Sequence, residues 1–242
     1  MPAMMQEKLK LFLRKVGLKP VFVALYKAFI RPAKIRRYLE SHEVLKLQIG
    51  SGPNLLMGWL NTDIRLGLRS GGGSYVFLDA TKRLPFQDET FDYVFCEHLI
   101  EHMGYGEARG MLRECLRVLK PGGKIRISTP DMRFLMELYN PEKTELQKRY
   151  IIRAVSKSLP EIGIHEDVFV INNFFRAWGH EFIYDYKVLK GTLESAGFVG
   201  VERQEVGESG DRNFSGLESH GGVIGDEFNR LETLVVEGQK PD

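Results

Sequence analysis

Residues 97–102 read EHLIEH, and the last five of them spell H-x-x-E-H. Two imidazoles and a carboxylate at that spacing can hold zinc and activate water when all three share one regular helix. Here the run follows directly on FDYVFC (91–96), an apolar segment that reads as a buried strand. His98 therefore falls in a strand-to-helix turn, and its ring need not share a helical face with His102. No further ligand with a supporting partner stands out in the sequence. A zinc hydrolase is accordingly the remote reading, and no metal is assigned. His102 reads equally well as a histidine capping or packing at a helix start.

A second constellation points to a nucleoside. Gly50-Ser51-Gly52 follows the apolar run VLKLQI (44–49). Glycines there let the backbone turn sharply and approach a ligand with no Cβ in the way. Asp63 closes the next run, WLNTDI (59–64), where a carboxylate can accept hydrogen bonds from both hydroxyls of a ribose. The third glycine of a dinucleotide fingerprint is missing. Asp63 also lies 13 residues beyond Gly50, where a dinucleotide fold would have about 20. A nucleoside other than a nicotinamide dinucleotide fits better.

These residues need a frame to bring them together. SYVFLD (74–79) is a third apolar run and FDYVFC a fourth. Residues 107–120 place Met111, Leu112, Cys115, Leu116 and Leu119 on one helical face, and KPGG ends that helix. KIRIS (124–128) reads as a fifth strand, although Lys124 and Arg126 are unusual for a strand buried on both sides. A helix over 185–196 stops at Gly197, and FVGVERQEV (198–206) and LETLVVEG (231–238) supply two more strands. Such alternation predicts a doubly wound, Rossmann-like α/β sheet with right-handed crossovers. Its ligands bind outside the carboxyl ends of the strands. Gly50–Gly52, Asp63, Asp79 and Glu97–His98 all follow strand ends, so they converge on one crevice.

LKLQIGSGPN…GWLNTDI, then LDATKRLPFQDETFDYVFCEHLIEHM, then LRECLRVLKPGGKIRISTPD resembles the class I S-adenosylmethionine-dependent methyltransferases. The likeness is closest to a small bacterial branch with a P-N-x-L-x-G-W-x-N-x-D opening, that of methyltransferase type 11 proteins. It covers residues 44–130 densely and the rest thinly. The resemblance implies a seven-stranded sheet whose last strand is antiparallel and inserted beside the fifth, with helices on both faces. It implies S-adenosylmethionine as cofactor, with Gly50, Ser51 and Gly52 along its methionine part and Asp63 on its ribose. Asp79 and Ala80 would flank the adenine, while Glu97, counted with the cofactor-binding residues, and His98 would stand at the cofactor's edge, where substrate arrives. Gln48 stands where many members carry an acid, so the usual contact to the methionine ammonium would differ here. The family commonly carries an E-H dipeptide at this place, which accounts for part of EHLIEH.

Two further segments bear on substrate. Residues 129–184 form an insertion after the fifth strand, carrying Phe134, Tyr139 and Tyr150 and ending INNFFRAWGHEFIYDY. In this fold it would cover the cofactor and shape the acceptor pocket. Trp178, His180 and Tyr184 are its candidates to meet substrate, against the plainer reading of aromatics as the insertion's own core. The segment 207–230, with six glycines and His220, reads as a long loop on the cofactor side.

Composition bounds the rest. The 242 residues are 43% hydrophobic and 27% charged, ordinary for a globular chain of one domain with an appendage. Cys96 and Cys115 are too few for a disulfide framework and suit a reducing compartment. No apolar run reaches the ~18–20 residues of a membrane span, and no secretory signal is evident, so a cytoplasmic location is expected. Residues 1–40 hold ten Lys or Arg against two Glu, while the remainder holds 24 basic and 30 acidic side chains. The front is thus a basic appendage (1–40) on a mildly acidic body (41–242), which the resemblance makes the methyltransferase domain. Met5, Leu9, Phe12, Leu13 and Val16 fall at helical spacing within it. Peripheral contact with an anionic membrane or an acidic partner is one reading of that segment. A helix packed on its own domain with a solvated basic face is the other.

The expected function is methyl transfer to a small molecule or glycan, a sugar hydroxyl foremost, with His98 and His180 as general-base candidates. No basic groove tracks a nucleic-acid backbone, so no nucleic-acid partner is expected. The oligomeric state is not legible. The rival reading is a non-catalytic S-adenosylmethionine-binding partner protein.

Overall fold

The computed structural model of the protein describes residues 19–65 and 74–242. The periodic run from Met5 to Val16 lies outside them. Helix α1 (Lys19–Leu25) passes through a π-helical turn, Tyr26–Ile30, into α2 (Arg31–Ser41). Helix α2 is part of the domain's packing: Ile35 and Tyr38 lie in the main core. The Tyr38 hydroxyl donates toward the carbonyls of Lys46 and Gly58 and accepts from the Lys46 amide. The other flank differs, leaving Val21, Leu25 and Phe29 exposed beside Lys27. Among the described residues no helix is long and apolar enough to cross a membrane.

Strands β1 (Lys46–Ile49), β2 (Leu60–Asp63), β3 (Ser74–Phe77), β4 (Phe91–Glu97), β5 (Leu119–Pro130), β6 (Val199–Gln204) and β7 (Thr233–Gln239) form one sheet in the order β3-β2-β1-β4-β5-β7-β6. Strands β1 to β5 pair in parallel, and β7 runs antiparallel between β5 and β6. This is the predicted sheet, with the last strand where the resemblance put it. Helix α3 (Tyr105–Val118) buries Ala108, Met111, Leu112, Cys115 and Val118 against it. KPGG does more than end that helix, because residues 119–123 already belong to β5. Asp185 caps α7 (Tyr186–Ala196) and Gly197 ends it at φ +111°, a conformation open to glycine.

The insertion folds into three helices: α4 (Met132–Leu138), α5 (Glu145–Ser158) and α6 (Asp167–Arg176). Thr144 and Gln147 close a reciprocal capping box at the start of α5. Phe134, Tyr150, Val155 and Phe174 make a small core separate from the main one, which Phe228 joins from the far end of the chain. The glycine-rich segment is less loop than expected. It contains α8 (Gly221–Ile224) and α9 (Asp226–Glu232), and Phe214 packs with Trp59 and Phe95 in a third cluster.

Arg126 explains the odd composition of β5. Its side chain is fully buried, and all five of its N–H groups are used. They reach both oxygens of Glu218, one of Glu237, and the carbonyls of Glu205 and Glu208. Glu218 also accepts from the Ser128 hydroxyl and the Gly207 amide. The network fastens the segment after β6 onto the sheet.

Candidate active site

At the end of β1 the chain turns through Gly50 (φ +72°) and Gly52 (φ +51°). The left-handed φ favours glycine at position 50, and a Cβ there would also come within 2.7 Å of the Leu99 side chain, which would have to shift. The Ser51 amide donates to the Thr62 carbonyl, and the Gly52 amide donates to the Asp63 carboxylate at 2.8 Å. The Arg65 amide donates to the other Asp63 oxygen, also at 2.8 Å. Asp63 thereby keeps a fixed orientation, and each oxygen retains a lone pair for a ligand. Gln48 Oε1 and Ser51 Oγ are buried with no hydrogen-bond partner among the described residues. Unmet polar atoms at a glycine turn are what a polar ligand satisfies. A nucleoside cofactor of the kind the resemblance implies fits this cradle.

Asp79 Oδ1 accepts from both the amide and the hydroxyl of Thr81, and Ala80 packs into the main core. Glu97 is engaged elsewhere. One of its oxygens accepts from the amides of Ser219 and His220, and the other from the Ser219 hydroxyl. It anchors the segment that brings His220 over the sheet edge.

His98 begins a second, adjoining feature. Its φ of +46° is costly for a residue with a side chain, and its amide donates to the Ser128 carbonyl, which holds the turn. Its Nδ1 donates to Glu101 Oε1 at 3.2 Å, leaving Nε2 buried without a partner among the described residues. Burial pulls this imidazole's pKa down. The hydrogen bond and charge of Glu101, with the charges of Glu232 and Glu97, outweigh that and leave it raised. Glu101 is fully buried and also accepts from the Thr129 hydroxyl.

His98 lines a cavity of about 550 Å³ that extends under the inserted helices. Glu101, His102, Trp178, His180, His220 and Glu232 line it too, with Tyr150, Phe174 and Phe228 on its aromatic side. The structure thus brings His98 and His180, 82 positions apart in the chain, into one cavity. Burial lowers the His180 pKa, the leading effect there. Trp178 lines the same cavity, whereas Tyr184 does not: it is fully buried in the main core. Tyr139 is exposed and stands apart. His102 and Glu101 carried a sequence signal in H-x-x-E-H. Glu232 carried none, because nothing in LETLVVEG sets it apart from a surface residue.

Three comparisons with known proteins bear on this geometry. Residues 47–127 match the model of a family described as "Methyltransferase domain". A demethylmenaquinone methyltransferase of Clavibacter sepedonicus is 32% identical over 137 residues, which are 54% of this chain and 49% of that protein. One from Streptomyces griseus is 31% identical over 120 residues, 49% of this chain and 47% of the other. The chain therefore spans about half the length of these relatives. A solved S-adenosylmethionine-dependent methyltransferase from Archaeoglobus fulgidus shares the fold, with a TM-score of 0.50 and 18% identity over 91% of this chain and 99% of that one.

Proposed function

We propose that residues 47–127, which match the methyltransferase-domain family, are the core of a class I S-adenosylmethionine-dependent methyltransferase, and that this chain methylates a small-molecule acceptor held in the His98 cavity. The observation that carries the reading is the buried Nε2 of His98, without a partner among the described residues. His98 sits just past the end of β4 in the cavity wall, and the next residue, Leu99, packs against Gly50 of the glycine turn.

S-adenosylmethionine supplies an electrophilic methyl group on a sulfonium. The chain's own residues must hold it, align an acceptor and take a proton. Gln48, Gly50, Ser51 and Gly52 are assigned to its methionine part, Asp63 to its ribose, and Asp79 with Ala80 to its base. Glu97 is assigned to that edge through the 219–220 segment it anchors. His98 is the favoured general base: Glu101 fixes its Nδ1–H, so Nε2 carries the lone pair that accepts a hydroxyl proton. His180 is the second candidate. The acceptor class follows from the lining, which combines four imidazoles and two carboxylates with an aromatic wall. A sugar hydroxyl suits that mixture, the ring stacking on Trp178 and the hydroxyls meeting the polar side. Residues 1–40 would bring the domain to an anionic surface, as a lipid-linked glycan would require.

The aromatic wall supports a second acceptor, a flat quinone-type ring of the kind the relatives' names give. The test is titration with S-adenosylhomocysteine beside an Asp63→Ala variant, then product formation on glycans and quinols. Saturable binding lost in Asp63→Ala, with turnover of one acceptor class, is the expected result. Binding without turnover across both classes would favour a non-catalytic binding protein.

A further inference from the structure

His102 and His180 come from the turn after β4 and from the end of the insertion, yet their rings meet edge to face with centroids 4.9 Å apart. Each spends its Nδ1 on a backbone carbonyl: His102 on Gly179 at 3.3 Å, His180 on Phe174 at 2.8 Å. A carbonyl only accepts, so each Nδ1 carries the proton and each Nε2 carries a lone pair. This is how histidine ligands of metal ions are usually oriented and made more basic. The Glu101 carboxylate stands close to both, its Oε1 accepting from His98 Nδ1 at 3.2 Å and its Oε2 from the Thr129 hydroxyl at 3.0 Å. Its Oε1 lies 4.0 Å from His102 Nε2, and the ligand atoms of Glu101, His102 and His180 all lie within 4.8 Å of one another. The backbone is built for this meeting. The amides of Glu181 and Phe182 both donate to the Glu101 carbonyl, pinning the segment after His180 to the His102 turn.

We propose that Glu101, His102 and His180 bind one divalent transition-metal ion of the zinc class in the wall of the acceptor cavity. Two imidazole nitrogens and one carboxylate oxygen select zinc or a neighbouring transition ion over magnesium or calcium, which prefer all-oxygen sites. Ligand atoms on one tetrahedral ion stand about 3.4 Å apart, so the three side chains must draw slightly closer to complete the site. Three protein ligands leave a coordination position facing the cavity, which suits an oxygen of the acceptor. This is not the peptidase arrangement that H-x-x-E-H suggests, since His98 is not a ligand and His180 is. His98, Glu232 and His220 form a second cluster of potential ligands. The His98 and His220 rings lie at a tilt of 35° with centroids 4.0 Å apart. Rings that lie largely face over face turn their in-plane lone pairs past one another, so that cluster is the weaker donor set.

The proposal stands on geometry and does not require methyl transfer, so metal binding and activity can fail separately. The test is calorimetric titration of untagged, chelator-treated protein with Zn²⁺, with elemental analysis of the protein as purified and visible spectra of the Co²⁺ form. Wild type is expected to bind one equivalent with a tetrahedral Co²⁺ spectrum. His102→Ala and His180→Ala are each expected to weaken binding at least about a hundredfold. His220→Ala is expected to bind as wild type does. Unchanged thermal melts of the metal-free variants show that they fold. Absence of stoichiometric binding by wild type overturns the proposal. So does binding that survives both histidine variants or is lost in His220→Ala.

Discussion

Arg126 Nε and Nη2 donate to the two oxygens of Glu218 at 2.6 and 3.0 Å, and both side chains are fully shielded from solvent. The pair joins the middle of the sheet to a segment 92 positions later in the chain, the one that carries His220 into the cavity. Burial alone would lower the Arg126 pKa, but Glu218 and Glu237 raise it, so the guanidinium stays charged.

Arg126→Ala should leave Glu218 as an uncompensated buried charge and cost about 3–5 kcal/mol. Chemical denaturation of the variant measures this. The Arg126→Ala, Glu218→Ala double variant should be less destabilised than the two single effects summed, because the second substitution removes the orphaned partner.

Glu97→Ala should loosen the 217–222 segment without unfolding the domain. It removes three hydrogen bonds made by Ser219 and His220 in the segment's middle. A local loss of about 1–2 kcal/mol corresponds to roughly five- to thirtyfold faster amide exchange there. Hydrogen exchange read by mass spectrometry should confine the change to that segment. Spread of the acceleration across β4 and β5 would show that Glu97 supports the sheet instead.

Gly50→Ala should cost about 1–3 kcal/mol, because the left-handed backbone and the Leu99 side chain both oppose a Cβ. The same variant should weaken S-adenosylhomocysteine binding. A thermal melt and a titration on one preparation check both effects.

His98→Ala should lower kcat by about 10²–10⁴-fold on a hydroxyl acceptor, with affinity for S-adenosylhomocysteine little changed. Single-turnover kinetics at saturating cofactor separate the two quantities. A KM effect with kcat intact would make His98 a positioning residue.

Acid should release the 207–220 segment through Asp211. Burial pushes this carboxyl's pKa up, but bonds from Lys124, Asn213 and Tyr93 outweigh it and hold it at about 2, against 3.8 when unperturbed. A depressed folded-state pKa contributes stability that is present above the unfolded value and lost as pH falls through the folded one. The stability difference between wild type and Asp211→Asn should therefore be constant above about pH 5 and shrink as pH falls from 3.8 toward 2. Urea denaturation across that range reads the difference directly.

The order of elements, the crevice at the strand ends and the glycine turn were legible in the amino-acid sequence because each is local. Apolar runs of four to seven residues, a glycine where φ is positive and an aspartate at a strand end follow from the chain's near neighbours. The pairing of His98 with an acid was half legible, since Glu101 stands three residues on, but the positive φ of His98 was not. The tertiary structure alone decided that Arg126 could be buried, because its partners lie 79 to 111 positions away. It alone decided that Trp178 and His180 face the cavity while Tyr184 enters the core. Likewise, it alone joined His220 and Glu232 to the turn after β4. Pattern reports which face of an element is apolar, but polar side chains distant in sequence meet only where packing of whole elements puts them, and no local preference encodes that meeting.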